Sequence, residues 1–499
     1  GFLDWDNQPD PFRRYADSPL HPLPRPAADD TPSWSAVHTP GAVPPRALDE
    51  QGLARMLWFG MALIAHKRAG DSRWSLRVNP SSGNLHPTEC SLVLPAGLTS
   101  DAAGVFHYAP DVHGLERRAA FADDGWRHLA AELPDSCALV VLSSVIWREA
   151  WKYGERAWRY CQHDVGHALA ALRYAAACNG WTLAALPDTP DASVAALAGL
   201  DRLAYGDDAD TLPDDALAHT EREVPDLVAL VRADGAPVDP RTALDGAIVR
   251  AVCDAAHWTG TPNRLSEEHH PWPVLDVVHE ACAREAVRTP FAAAPAAPTA
   301  PGPVAGSADV AAGTLIRGRR SAVAMDGRSR LSLQAFTAML AACVPATAPL
   351  PCDALGAPSR VHLALFVHRV DDLEPGLYLL VRDPAALPRL RESLRDTFTW
   401  EPPDGLPDDL PLLRLLARTL TGPAAQMSCG QDIAGDGAFS LGFLAEVEPS
   451  LRHWGAPVYR NLFWETGVLG QTLYLQAEAA GLRATGIGCF FDDAVHQLL

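Results

Sequence analysis

None of the ten cysteines forms a CxxC pair, and Cys352, Cys429 and Cys489 stand isolated. That absence implies neither a zinc site nor a disulfide framework, and it fits a reducing, cytoplasmic compartment. Long apolar runs are missing too. No segment approaches the roughly 18 consecutive apolar residues of a membrane span. The opening GFLDWDNQPDPFRRY is polar and proline-broken, without the apolar core of a secretory signal. Positive charge is in short supply: 41 Lys and Arg stand against 61 Asp and Glu, a formal charge of −20. This argues against non-specific nucleic-acid binding and against docking on an anionic membrane, so any anionic ligand needs a local basic pocket. No GxGxxG follows a strand pattern, so no Rossmann nicotinamide domain is visible.

The 499 residues present suffice for two or more domains. Residues 1–50 are rich in proline and read as an extended arm laid on the surface. LARMLWFGMALIAHKR, from Leu53 to Arg68, reads as a helix. CSLVL, GVFHYAP and CALVVLSSVIW read as strands, and RAWRYCQHDVGHALAALRYAAACNGW as a long helix stopping near Gly180. Residues 284–313, almost uncharged and dense in Ala, Pro and Gly, read as a semi-rigid linker. The pattern then restarts. A helix (LSLQAFTAMLAAC), strands (VHLALFVH, GLYLLV, AFSLGFLAEV) and a second long helix (YRNLFWETGVLGQTLYLQAEAAGL) follow.

The two long helices align without a gap. Arg159 matches Arg460, Asp164 matches Glu465, Gly166 matches Gly467 and Gly180 matches Gly481, each 301 residues apart (460 − 159 = 301). GVFHY likewise matches GLYLL. The chain therefore reads as two copies of one α+β unit, 51–283 and 314–499, joined by the linker.

Two short segments break that symmetry. Pro80-Ser81-Ser82-Gly83-Asn84 occurs only in the first half, and Arg319-Arg320-Ser321 only in the second. By composition alone, the first is an ordinary strand-entry turn and the second a solvated basic turn. Functionally, glycine lets backbone approach a flat ring, serine and asparagine reach hydroxyls and heteroatoms, and arginine forks grip phosphate.

These segments, with the long helices and the terminal YRNLFWETGVLGQTLYLQAEAAGLRATGIGCFFDDAVHQLL, resemble the nitroreductase superfamily. The closer resemblance is to its SagB-type, thiazoline/oxazoline-dehydrogenase branch. It covers most of the chain outside the arm and linker. It implies two tandem nitroreductase-like α+β domains forming an intrachain pseudo-dimer, either monomeric or further dimerised. It also implies FMN between the halves. The phosphate would sit on Arg319, Arg320 and Ser321 and the remainder on Pro80, Ser81, Ser82, Gly83 and Asn84, with the twin site degenerate. In that branch a Lys-Tyr pair accompanies activity. Here Lys152-Tyr153 exists once, and His453-Trp454 replaces it in the second half. The pair lies outside the two cofactor-binding segments. A lysine or a tyrosine beside a cation can take a proton while hydride leaves to a flavin.

The activity so implied is oxidation of a peptide-derived heterocycle or small substrate. Two other classes stay open. One is an NAD(P)H-dependent nitro or quinone reductase; the other is a flavin-free scaffold in a biosynthetic complex. No metal site is expected. His163 and His167 lack the glutamate of HExxH and read as helix-packing residues, and the adjacent His269 and His270 read as structural. Asp492 and Asp493 match the family's terminal turn. Residues 186–219 and 383–411 read as insertions lining the substrate pocket.

Overall fold

The computed structural model describes residues 3–70, 72–202, 221–285, 289–291, 302–306 and 309–499. The linker expected at 284–313 and the insertion expected at 186–219 fall partly outside the described residues.

In the first half, Asp49 caps α1 (Glu50–Gly60) by accepting from the Gly52 N–H at 2.8 Å. The helix expected to run to Arg68 stops at Gly60. Beyond it, β1 (Leu63–Ala69) and β2 (Ser72–Arg77) form a hairpin in which Lys67 faces Trp74. An apolar run cannot by itself separate helix from strand, and here cross-strand pairing decides. There follow β3 (Thr88–Leu94), β4 (Gly104–Ala109), β5 (Gly114–Ala120), β6 (Cys137–Val145), α2 (Ile146–Tyr153), α3 (Ala157–Ala177), β7 (Thr182–Ala185) and β8 (Glu223–Arg232). The sheet order is β5-β4-β3-β6-β8-β7, all antiparallel. The β6 strand is buried at every position: the apolar run 137–142 suits a strand covered on both faces, and the hydroxyls of Ser143 and Ser144 donate to Glu223 and Asp226.

The second half contributes α4 (Ala312–Gly318), α5 (Leu333–Ala341), β9 (Val361–Val367), β10 (Gly376–Leu380), β11 (Leu412–Ala417), β12 (Phe439–Ala445), α6 (Val447–Trp454) and α7 (Val458–Ala479). Its sheet, β11-β10-β9-β12, repeats the order β5-β4-β3-β6. Even the register repeats. Thr88 faces Ser144 across β3 and β6, and Val361 faces Ala445 across β9 and β12. Partners equivalent to β7 and β8 are absent beside β12 among the described residues.

The halves meet along α3 and α7. A Cβ placed on Gly166 would lie 2.2 Å from the Trp464 carbonyl oxygen, and one on Gly467 would lie 2.2 Å from the His163 carbonyl oxygen. The matched glycines are thus the crossing point of two backbones, and rigid main chain cannot yield as a side chain can. Gly166→Val and Gly467→Val are each expected to destabilise the protein by about 1–3 kcal/mol, the usual cost of overpacking. Denaturant unfolding measures this, and an unchanged midpoint would contradict the crossing. His163 and His167 serve the same interface. They bond to Thr466 and Gln471 of α7, and burial lowers their pKa values to about 4 and about 3.

Two expectations need correction. The N-terminal arm does not simply lie on the surface, because Arg13 and Trp34 are fully buried and Leu20–Pro22 pairs with β5. Its aromatic residues find core partners that proline content does not reveal. The absence of disulfides is also overturned: Cys429 and Cys489 are bonded, their Cα atoms 5.9 Å apart. They lie 60 residues apart in sequence, so no local spacing announces the pair. The other eight cysteines are buried thiols. No helix among the described residues is long and apolar enough to cross a membrane.

Candidate functional site

The segment 79–87 leaves β2 and enters β3 through left-handed backbone at Gly83, Asn84 and His86, with φ of 59°, 62° and 55°. Two such residues without glycine's freedom are uncommon, and hydrogen bonds hold them. The Asn84 amide donates to the Ser75 carbonyl at 2.9 Å, and the Ser81 hydroxyl accepts from the His86 N–H at 2.8 Å. Ser82 donates both its N–H and its hydroxyl to Asp164 of α3, at 3.1 and 3.2 Å. The polar side chains of this loop therefore engage the protein and fix the loop's shape.

Its far end is anchored by a buried charge network. Arg148 donates to the His86 carbonyl at 2.9 Å and pairs with Glu89. His107 lies between Glu89 and Glu116, 2.9 Å from each. Burial alone would lower its pKa, but hydrogen bonds to Glu116 and Glu89 raise it to about 9.

Gly83 is where Tyr153 arrives. A Cβ there would lie 2.5 Å from the Tyr153 hydroxyl, so glycine is required both for φ and for this contact. The Lys152-Tyr153 pair is thus not separate from the loop, as the sequence suggested, but pressed against it. The Lys152 ammonium lies 5.3 Å from the Tyr153 ring centre. Burial, then the charge of Glu149, pushes the Tyr153 hydroxyl pKa up, so it stays protonated. Behind Tyr153 stands Tyr160, 4.7 Å between ring centres, whose hydroxyl donates to the Gly488 carbonyl at 2.9 Å.

The Gly488 contact brings the second half to the same place. Arg319 follows the last turn of α4 and is 4% exposed. Its Nη2 reaches the Arg77 carbonyl at the end of β2, at 3.4 Å, and its guanidinium covers the Tyr474 ring at 5.0 Å. Its Nε and Nη1 are buried without a hydrogen-bond acceptor among the described residues. Arg320 turns back onto the Arg317 and Arg319 carbonyls. Ser321 shares a 2.9 Å hydrogen bond with the Tyr474 hydroxyl, which also accepts from the Gly486 N–H at 2.8 Å. Burial, then the positive charge of Arg320, lowers the Arg319 pKa. Arg483 adds to this positive field.

The structure therefore brings Arg319 to the base of the 79–87 loop and Tyr153 to its tip. Sequence reasoning missed Tyr474, Arg483 and the Gly486 backbone. Their signal was present in the terminal RATGIG segment, but only its overall likeness was used. Glu149 and Asp164 were also missed as chemistry. Arg317, two residues before Arg319, points elsewhere: it covers the Trp58 ring at 4.0 Å and donates to the Leu63 carbonyl, a contact between the halves. Asp492 joins the halves through Arg156 and Arg159, and His269 bonds to Glu221 at 2.6 Å.

The equivalent place in the second half is filled. Trp454, the counterpart of Tyr153, packs 5.1 Å from the Phe291 ring and 4.9 Å under the Arg360 guanidinium. Glu465, the counterpart of Asp164, accepts from the Arg360 N–H at 2.8 Å and pairs with buried Arg382.

Set against known structures, the whole chain matches a putative nitroreductase from Anabaena variabilis. The match covers 92% of that protein, with a TM-score of 0.70 and 21% identity. The fold is that of the nitroreductases. A putative nitroreductase from Ralstonia eutropha covers 46% of this chain and 94% of its own, with a TM-score of 0.27 and 16% identity. An E. coli microcin synthetase McbBCD complex with truncated pro-MccB17 bound covers 44% of this chain and 69% of its own, with a TM-score of 0.25 and 16% identity. At those scores neither adds to the assignment. No family model matches the sequence, and no curated protein matches it. The nitroreductase fold here contains both halves in one polypeptide, with Arg319 of the second half reaching the Arg77 carbonyl of the first.

Proposed function

We propose that the chain is an FMN-dependent oxidoreductase of the SagB-type dehydrogenase kind, acting on a peptide-derived heterocycle or a small substrate. One observation carries the reading: Arg319 is buried with two donors lacking acceptors, at the seam between the halves. A buried guanidinium without an anion is costly, so the site fits a phosphate. Arg320, Ser321 and Arg483 extend the same basic cluster within a chain of net charge −20. The rigid loop 80–84 would receive the rest of the cofactor, and the filled counterpart around Trp454 supports one such site per chain.

The flavin, when bound, would supply the hydride acceptor. The protein's part is orientation and proton control. Tyr153 keeps its hydroxyl proton and presents a hydrogen-bond donor at the loop, while Lys152 presents a cation beside it. A nitro or quinone reductase would use the same fold but would have no need of the Lys152-Tyr153 pair.

Purified protein is expected to hold one FMN per chain, read from flavin absorbance calibrated against released cofactor. Arg319→Ala is expected to weaken FMN retention by about 2–5 kcal/mol, the usual effect of leaving one member of a buried charged pair alone. Two FMN per chain, or undiminished affinity in Arg319→Ala, would place the phosphate elsewhere.

A further inference from the structure

Glu149 is fully buried on α2, one helical turn before Tyr153, and neither of its carboxylate oxygens has a hydrogen-bond partner among the described residues. Its counterpart at the 301-residue offset (450 − 149 = 301) is Ser450, whose hydroxyl donates to the Glu446 carbonyl within its own helix. A satisfied serine in one half is thus an unsatisfied glutamate in the other. The neighbouring acid shows the same reversal. In the second half Glu465 is neutralised by Arg382, which directly follows Val381 at the end of β10. Strand β4 aligns with β10 at an offset of 272 (376 − 104 = 272), which places Pro110 where Arg382 stands (382 − 110 = 272). Asp164 therefore has no arginine bonded to it; its partners are serines, the Ser82 N–H and hydroxyl and the Ser81 hydroxyl.

We infer that Glu149 and Asp164 form a buried acid pair, peculiar to the first half, that holds protons behind the Lys152-Tyr153 edge of the site. Both are positioning residues that set the protonation of that edge. The catalytic sense of this rests on the proposed function; the protonated pair itself does not.

The electrostatic surroundings agree. Burial, and then the charge of Asp164, raises Glu149 well above the ordinary glutamate range, with Lys152 opposing. Burial raises Asp164 to about 7, while hydrogen bonds from Ser81 and Ser82 and then the charge of Arg77 oppose. Also facing the pair are Tyr153 from α2 and Tyr160 and Cys161 from α3, all raised by burial and by Glu149. Asp226 of β8 acts on Cys161 from the other side. The cations acting on the two carboxyls are Lys152 on Glu149 and Arg77 on Asp164, while Arg156 and Arg159 act on Tyr160. Both carboxyls are therefore held toward their protonated forms, Glu149 by burial and the charge of Asp164, Asp164 by burial.

The test needs no substrate. Infrared difference spectra of wild type against Glu149→Gln, a near-isosteric change, should show a protonated-carboxyl C=O stretch at pH 7 that the variant lacks. Stability against pH gives a second reading. A carboxyl with a raised folded pKa binds its proton more tightly folded than unfolded. Its effect is nil below the unfolded value and becomes increasingly unfavourable as pH rises toward the folded value. Relative to wild type, the folding constant of Glu149→Gln should thus rise as pH climbs above the ordinary glutamate range, by up to about tenfold per pH unit. Asp164→Asn should show the same rise, levelling off near pH 7. Absence of the carboxyl band, or a flat ratio for Glu149→Gln, would overturn the inference. Flavin-free protein carrying the band would defeat the proposed function and leave the acid pair standing. Flavin-bound protein without it would do the reverse.

Discussion

Arg382→Met is expected to destabilise the second half by about 3–5 kcal/mol, among the largest single-residue losses in the chain. Arg382 is fully buried and bonds the Val361 carbonyl at 2.8 Å, the Cys343 carbonyl and the Glu465 carboxylate. Removing the guanidinium leaves Glu465 charged, 4% exposed and without its cation. The loss is the desolvation of that stranded charge, not the intrinsic worth of the pair. The double variant Arg382→Met/Glu465→Gln should therefore recover much of it. Denaturant unfolding of the single and double variants measures both. A double variant no more stable than the single one would show that the backbone bonds of Arg382, not the ion pair, carry the effect. The first half offers the contrast. Asp164 has no such partner, so Asp164→Asn should be neutral or stabilising above pH 7, because its raised pKa means the ionised form is the strained one.

Lys152→Ala and Tyr153→Phe should each slow flavin reduction by substrate by a factor on the order of 10²–10⁴ with the fold intact. Neither side chain makes a hydrogen bond that the fold depends on, and both remain half-buried at the loop. Tyr153→Phe keeps the ring that packs 4.7 Å from Tyr160 and removes only the hydroxyl against Gly83. Cofactor retention is thus a fair control for this variant. Single-turnover flavin reduction is the required measurement, since reoxidation would mask the step. Wild-type rates in both variants would remove the pair from the mechanism and favour the nitro or quinone reductase reading, in which solvent can deliver the proton. A converse check is Gly83→Ala. Its Cβ would meet the Tyr153 hydroxyl at 2.5 Å and its φ of 59° is strained for alanine, so it should displace Tyr153 and reproduce the Tyr153→Phe loss.

Much of this architecture was legible because it is written in local periodicity. Gly166 and Gly467 sit at one offset along two helices of the same pattern, and that alignment already implied a duplicated unit. The apolar runs of β3, β6 and β9 declared strands. The uniqueness of Pro80–Asn84, Lys152-Tyr153 and Arg319–Ser321 to one half each was likewise a property of the string, and with it the expectation that the halves have diverged.

What the string could not decide were proximities between distant residues and the solvation that follows from them. Cys429 reaches Cys489, and Arg319 reaches the Arg77 carbonyl across 242 positions, through folding alone. The helix expected at 53–68 became a hairpin beyond Gly60 because its second strand supplied partners. Asp164 and Glu465 are chemically alike and occupy matched helix positions, yet one faces Arg382 and the other Ser82. An acid's pKa is set by the water it loses and the charges it meets, and both are properties of packing. Sequence by itself determined that there are two unequal copies of one unit. The tertiary structure decided which copy keeps its acid without an arginine partner, because burial and the groups met on folding, not the residue type, raise the pKa of Asp164.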